Sequence, residues 1–414
     1  MNVNIPKRRF KGFTDDWEQY QLSEVTNRVR GNDGNMSLPT LTISAREGWL
    51  DQKDRFSKNI AGNQQKNYTQ LKYGQLSYNK GNSKAAPYGV VYMLNTHKEA
   101  LVPSIYHSFE MIDGEPKFLE YLFSSRKLDR ELRKYVSSSA RMDGLLNITY
   151  QNFEKVELNL PQKYEQLKVK EFLKKLDLLL TLHKRKFEKL KQLQKSYLNE
   201  SILSEPKCVP KRRFKGFVEP WEQRELHELV NFSKGKGYSK KDIVESGTPF
   251  MRYGNLYTDF EIEITAIKES VEEKPKSVKS KGGEILVPSS GETPGEIARA
   301  STLLKRNVII GGDINILTVK NNNVLPTFLA LDLNTNRNSK ELSKYAVGNS
   351  VVHLYNKDLH RLKVYLPGIE TQKKIVRIWR TLDKLLTLHK HKHNAIKILQ
   401  KIYLQNNLKD ETYA

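Results

Sequence analysis

Cysteine is almost absent: Cys208 is the only one in 414 residues. No disulfide can form within the chain, and no cysteine-based zinc site can be built, which excludes zinc-finger readers. Nowhere do two prolines adjoin. The Asn-Pro-Pro-aromatic motif of base-amino methyltransferases is therefore missing, as is the Gly-x-x-x-x-Gly-Lys loop that cradles nucleotide phosphates. No apolar run approaches the roughly 18 residues of a spanning helix, and the stretch from Leu176 to Leu182 is interrupted by Asp177. The segment Met1 to Phe13 is basic with no apolar stretch after it, unlike a signal peptide, so a cytoplasmic protein is expected, with no membrane partner. His389, His391 and His393 resemble a metal tract but have no carboxylate nearby, and a helical seam explains two of them. Asp259, Glu272 and Lys274 imitate nuclease spacing only loosely. No catalytic residue, metal site or cofactor is expected in this chain.

Acidic residues are also in deficit. Lys and Arg number 70 against 47 Asp and Glu, a net charge of +23. So large an excess points to a polyanion as partner, and with no membrane segment the expected partner is double-stranded DNA.

The sequence is present twice. Ile5-Pro-Lys-Arg-Arg-Phe-Lys-Gly-Phe13, followed by Trp17-Glu18-Gln19, returns as Val209-Pro-Lys-Arg-Arg-Phe-Lys-Gly-Phe217 and Trp221-Glu222-Gln223, an offset of 204. Leu176-Asp177, Thr181-Leu-His-Lys184 and Leu193-Gln-Lys195 return as Leu382-Asp383, Thr387-Leu-His-Lys390 and Leu399-Gln-Lys401, an offset of 206. Between these ends the two interiors share only fragments, such as Leu71 to Leu76 against Lys281 to Ile285. Duplication with drift does not explain why the ends stayed alike while the middles diverged. A chain whose two domains need equivalent mounts and different targets has this form.

Near the end of each half the apolar spacing predicts a long helix. From Glu165 to about Leu203 the seam runs Leu173, Leu176, Leu180, Phe187, Leu190, Leu193, Tyr197, with His183 at the missing step; the second runs Trp379, Leu382, Leu386, His389, His393, Ile396, Leu399, Tyr403. Steps of three and four mark a coiled-coil seam, and Pro161 and Pro367 punctuate the starts. At about 39 residues, or roughly 58 Å, each helix is too one-sided to stand alone. Antiparallel packing of the two in a pseudo-twofold arrangement is expected, with His183 approaching His389. Residues 163–195 carry seven more basic than acidic residues, and residues 367–409 eight more. Such a basic pair is either a solvated face or a track for DNA or an acidic partner.

The two middles read as α+β. In the first, strands are expected at Ser37–Ser44, Leu76–Tyr78, Val90–Leu94 and Lys155–Leu160, with a helix at Lys117–Tyr135. In the second, strands are expected at Glu284–Pro288, Asn315–Lys320 and Lys363–Leu366, with a helix at Pro326–Leu333. The domain organisation is then 1–161, a first recognition domain; 162–204, a first helix; 205–366, a second recognition domain; and 367–414, a second helix and tail.

Loops in these domains hold the candidate DNA contacts, since amide side chains can pair with adenine and cations with phosphate or guanine. In the first domain they are Arg46, Lys66, Tyr78, Asn79, Lys80, Asn82, Lys84 and Arg141. In the second they are Lys234, Lys236, Tyr238, Arg252, Tyr253, Ser289, Ser290, Arg299 and Asn349. Such residues are also ordinary turn formers. Their place in a basic, duplicated frame is what selects them, and the different loops imply different base sequences.

The chain resembles the specificity subunit of type I restriction-modification systems along essentially its whole length. The carriers are Arg9-Phe-Lys-Gly-Phe13 and Arg213-Phe-Lys-Gly-Phe217 with Trp17 and Trp221, Gly74 and Gly283 before apolar strands, and Pro161 followed by Glu165-Gln166. The second copy departs, with Thr371-Gln372 after Pro367. The resemblance implies that each recognition domain reads one half of a bipartite, asymmetric target while the helices fix the gap. It also implies two methyltransferase subunits using S-adenosylmethionine and two restriction subunits using ATP and Mg2+, with those cofactors on the partners. The alternative on the same residues is a free-standing DNA-binding regulator or decoy.

Overall fold

A computed structural model describes residues 9–56, 62–137, 144–202, 209–217, 219–348 and 351–407. It divides into two compact units, Met1–Lys184 with Lys390–Ala414, and Arg185–His389. Each unit is mixed helix and sheet and contains part of both long helices, Lys163–Ser201 and Ile369–Asn407, 39 residues each. Among the described residues no helix is long and apolar enough to cross a membrane.

The repeated ends build the same frame in each unit. Strand Glu18–Gln21 pairs antiparallel with Glu157–Leu160, Glu18 opposite Leu160. Glu222–Glu225 pairs with Lys363–Leu366 in the same way, Glu222 opposite Leu366. Beside these pairs the repeated tryptophans are buried, Trp17 edge-on to Phe118 and Trp221 edge-on to Phe328.

The interiors share more than their sequences suggest. In unit 1 an antiparallel sheet orders its strands Thr26–Arg28, His107–Met111, Leu76–Asn79, Val90–Met93. Unit 2 places Val230–Lys234, Ile314–Val319, Glu284–Pro288 and Ser301–Leu303 in the same antiparallel order. A helix then crosses each sheet, Pro116–Ser124 or Pro326–Leu333, opened by a proline whose missing N–H costs nothing at a first turn. Gly74 and Gly283 turn the chain into the central strand with φ of +91° and +101°, a conformation that strains any residue with a Cβ. Unit 2 then adds Glu263–Ile264, parallel to Ser301–Leu303, and a separate four-stranded sheet.

The core of unit 1 surrounds Phe153, whose ring stacks on Tyr78 at 4.6 Å and packs against Phe109 and His107. The expected helix Lys117–Tyr135 is two helices, Pro116–Ser124 and Asp129–Tyr135. Ser124 and Ser125 return their hydroxyls to carbonyls of the preceding turn, Arg126 takes φ +65°, and its guanidinium donates to the Gly89 carbonyl at 3.0 Å. Tertiary hydrogen bonds override a continuous helical pattern here.

The long helices pack antiparallel within each unit. In unit 1 Phe172 meets Tyr403, Gln400 donates to Asp177 at 2.6 Å, and the His393 ring lies 3.3 Å from the Leu180 carbonyl. In unit 2 Gln194 donates to Asp383 and Tyr197 to the Ile375 carbonyl, both at 3.4 Å. One correction to the seam follows: Leu193 and Leu399 are 54% and 46% exposed, and the neighbouring glutamines face inward instead. Asp177, Gln194, Asp383 and Gln400 all lie in the repeated fragments, so the duplication carries a polar clasp that apolar periodicity alone passes over. The start of each helix is locked alike. Gln166 donates to the Pro161 carbonyl and Gln372 to the Pro367 carbonyl, each at 2.8 Å. Their amide oxygens accept from the backbone of Glu115 and Leu325.

Candidate nucleic-acid interface

Two chain segments far apart in sequence come together at the edge of the central sheet in unit 1. After strand Leu76–Asn79 the chain enters Lys80 to Lys84, and this loop bridges to the segment before the short helix Tyr150–Phe153. Gly81 pairs with Leu145, Leu146 donates to the Lys80 carbonyl at 2.8 Å, and Asn82 donates to the Gly144 carbonyl at 2.8 Å. Unit 2 repeats the construction. Beyond Glu284–Pro288, Ser290 pairs with His353, and Leu354 donates to the Ser289 carbonyl at 3.0 Å just before helix Asn356–Leu359. The two loop pairs stand at equivalent points of one frame and present different side chains, Lys80-Gly-Asn-Ser-Lys84 in one and Ser289-Ser-Gly-Glu-Thr293 in the other.

Of the expected contacts in unit 1, Arg46, Lys66, Asn82 and Lys84 are exposed. Arg46 sits in the turn between strands Leu41–Ser44 and Gly48–Asp51, and Lys66 in the 3-10 helix Gly62–Asn67. Lys80 is half-buried. Tyr78 is a correction: its side chain has no exposed surface, its hydroxyl donates to the Tyr88 carbonyl at 2.8 Å, and burial pushes its pKa up. On an alternating strand it is the inward residue, so it supports the loop and cannot touch a base in this conformation. Asn79 is half-buried and committed to the scaffold, donating to the Ile43 carbonyl and accepting from the Gly81 amide, both at 3.1 Å. Arg141 lies outside the described residues.

In unit 2, Lys234 and Lys236 are exposed on either side of Gly235. A Cβ on Gly235 would meet the Gly311 carbonyl oxygen at 1.8 Å, so the glycine is there to let two backbones approach, which fixes where the lysines emerge. Tyr238 packs on Phe250, and its hydroxyl bonds with Ser277 and accepts from the Lys274 amide. Arg252 is held by both oxygens of Glu269, at 3.3 and 3.1 Å, which raises its pKa and occupies its fork. Tyr253 is half-buried beside Tyr257, and Arg299 is half-buried with its guanidinium 5.2 Å from the Phe260 ring. Ser289 and Ser290 are corrections, 2% and 6% exposed, because the bridge to Leu354 and His353 buries them. Asn349 lies outside the described residues.

Sequence reasoning missed a second feature. Arg28 is exposed on strand Thr26–Arg28, and its guanidinium lies 4.1 Å from the centre of the Tyr150 ring. Arg28 and Lys80 together act on His107, and Arg28 and Arg30 together act on Tyr150, so the three cations share one neighbourhood. In unit 2 Lys234 and Lys357 lie 5.9 and 5.6 Å from the centre of the Tyr355 ring. Arginines at Arg28 and Arg30, spaced two apart at a strand, were the available signal. Among the described residues no cluster of His, Cys, Asp or Glu could hold a metal ion.

Comparison with known proteins agrees with this construction. Residues 218–398 match the family described as type I restriction modification DNA specificity domain. The type I restriction enzyme MjaVIII specificity subunit of Methanocaldococcus jannaschii is 22% identical over 288 residues, 68% of this chain and 67% of its own. The solved type I restriction-modification S subunit from M. genitalium superposes with a TM-score of 0.61 at 16% identity, covering 99% of this chain and all of that one. A chain from a structure of type I restriction-modification complex assembly and conformational transition gives a TM-score of 0.51 at 15% identity, covering 98% and 100%. At such identities the structures speak for the fold, and the family match speaks for the class, a DNA specificity domain. Residues 218–398 thus match a DNA specificity domain of type I restriction-modification systems, and the first half of the chain is built on the same frame.

Proposed function

We propose that the recognition domains, 1–161 and 205–366, each read one half of a split, asymmetric DNA target. The two long helices set the gap between the half-sites. The observation that carries this reading is the pair of loop pairs, built by the same backbone pairing on the same sheet order yet bearing different side chains. A common mount with different readers serves two half-sites; one target read twice would need no such difference. The exposed candidates for reading are Arg46, Lys66, Asn82 and Lys84 in unit 1 and Lys236 in unit 2.

The chain supplies the address and its partners the chemistry: two methyltransferase subunits carrying S-adenosylmethionine dock on the basic helices, and two restriction subunits add ATP- and Mg2+-dependent cleavage. Support for the docking spine is the excess of Lys and Arg on both helices together with exposed apolar residues such as Leu178, Leu182, Leu388 and Ile398. Adenine methylation mapped genome-wide, with the gene intact and deleted, tests the proposal. Loss of methylation at one motif of two unlike halves supports it. Unchanged methylation refutes it and leaves a free-standing DNA binder.

A further inference from the structure

Two readers with different targets have one thing in common to hold, the sugar-phosphate backbone. Features repeated in both units, at positions where the sequences otherwise differ, are therefore candidates for contacts that carry no sequence information. The cation and ring beside each loop pair are such a feature. Arg28 ends the first strand of the unit 1 sheet with Arg30 two residues on, and Lys234 ends the matching strand of unit 2, at Arg30 plus the repeat offset of 204. Tyr150 opens the short helix Tyr150–Phe153, and Tyr355 caps the matching helix Asn356–Leu359.

Arg9, Lys117, Arg126, Lys134, Lys163 and Lys170 are among the cations of unit 1 held in ion pairs; among the described residues neither Arg28 nor Arg30 takes part in one. Their charge is left to an outside anion. The Tyr150 ring, itself 8% exposed, holds the Arg28 guanidinium in place, which lowers the entropy lost when that cation meets a phosphate.

We propose that Arg28 and Arg30 in unit 1, and Lys234 with Lys357 in unit 2, contact DNA phosphates and seat each reader on the duplex, while the adjoining loop pairs read the bases. This rests on the bipartite reading above, and the test separates the two. The full chain, with its methyltransferase partners, is titrated on a duplex bearing the motif mapped by methylation and on one with both halves scrambled, from about 50 to 200 mM salt. For R28Q/R30Q, and independently for K234Q/K357Q, binding to both duplexes falls by the same factor, so preference for the motif is unchanged. The slope of log K against log salt becomes shallower by about one for each phosphate that is no longer neutralised. R28K/R30K keeps the wild-type slope. An unchanged slope in the glutamine variants overturns the proposal, as does weakening confined to the motif duplex, which would make these residues base readers. If the wild-type protein shows no preference for the motif, the bipartite reading itself fails.

Discussion

Unit 1 and unit 2 agree in their frames and differ in what the frames carry. Both close an opening strand on a final strand in the same register, wedge a tryptophan beside it, and lock the start of a long helix with a buried glutamine. Yet at that lock unit 1 has a glutamate where unit 2 has a threonine. Glu165, 2% exposed, binds Arg9, where unit 2 has Thr371. The glutamine is therefore the shared element of the mount, and the glutamate is particular to unit 1. Further in, the central sheet order is common, while beside it unit 1 has two two-stranded sheets, Leu41–Ser44 with Gly48–Asp51 and Thr69–Lys72 with Glu99–Val102, and unit 2 a four-stranded one. The divergence is concentrated in loops and added strands, where a change of side chain alters what is touched without disturbing the core.

Breaking the core of one unit should produce the largest effect. Phe153→Ala, at the centre of the unit 1 aromatic cluster, should cost about 3–5 kcal/mol in that unit's denaturant unfolding and leave the unit 2 transition in place. An equal loss in both transitions would show that the units do not unfold separately.

Acid should distinguish the units next. Burial among aromatic rings pushes the His107 pKa down to about 4, and its Nε2 lies 3.0 Å from the Ile148 carbonyl. The unfolded chain takes up this proton near pH 6.5, while the folded one resists until about pH 4. Stability is thus complete above about 6.5 and declines as pH falls toward 4, by up to about 3 kcal/mol. His107→Gln should flatten the profile of unit 1 over that window, and an unaltered profile would remove His107 as the cause.

The mount itself can be sharpened by copying one half into the other. Glu165→Thr, which gives unit 1 the residue of unit 2, leaves the Arg9 guanidinium with the Asp15 carbonyl but no carboxylate and should destabilise unit 1 by about 2–3 kcal/mol. Gln166→Leu should cost unit 1, and Gln372→Leu unit 2, about 1–3 kcal/mol each by leaving buried backbone groups unpaired. Smallest of all, Leu193→Ala and Leu399→Ala should change stability by no more than about 0.5 kcal/mol. A loss of the size expected for a core leucine would put both residues back in the seam.

The frame was legible because it is repeated and periodic. The lengths of both long helices, the strands Glu284–Pro288 and Lys363–Leu366 and the helix Pro326–Leu333 follow from apolar spacing and proline punctuation. The shared sheet order did not, because strand pairing joins residues distant in sequence and any outward side chain tolerates it. Site residues were the least legible. A loop motif gives residue types but not their direction, so Tyr78, Ser289 and Ser290 looked like contacts and are buried, while Arg28 looked like one more basic residue of a strand and stands over a ring.

The most direct test exchanges readers on the common frame. Residues 22–156, between the frame strands of unit 1, replace residues 226–362 between those of unit 2, and the methylated motif of cells carrying the chimaera is mapped. If each unit reads its own half-site, the half-site formerly read by unit 2 is replaced by a second copy of the half-site read by unit 1. Survival of the original motif with both unlike halves would contradict it.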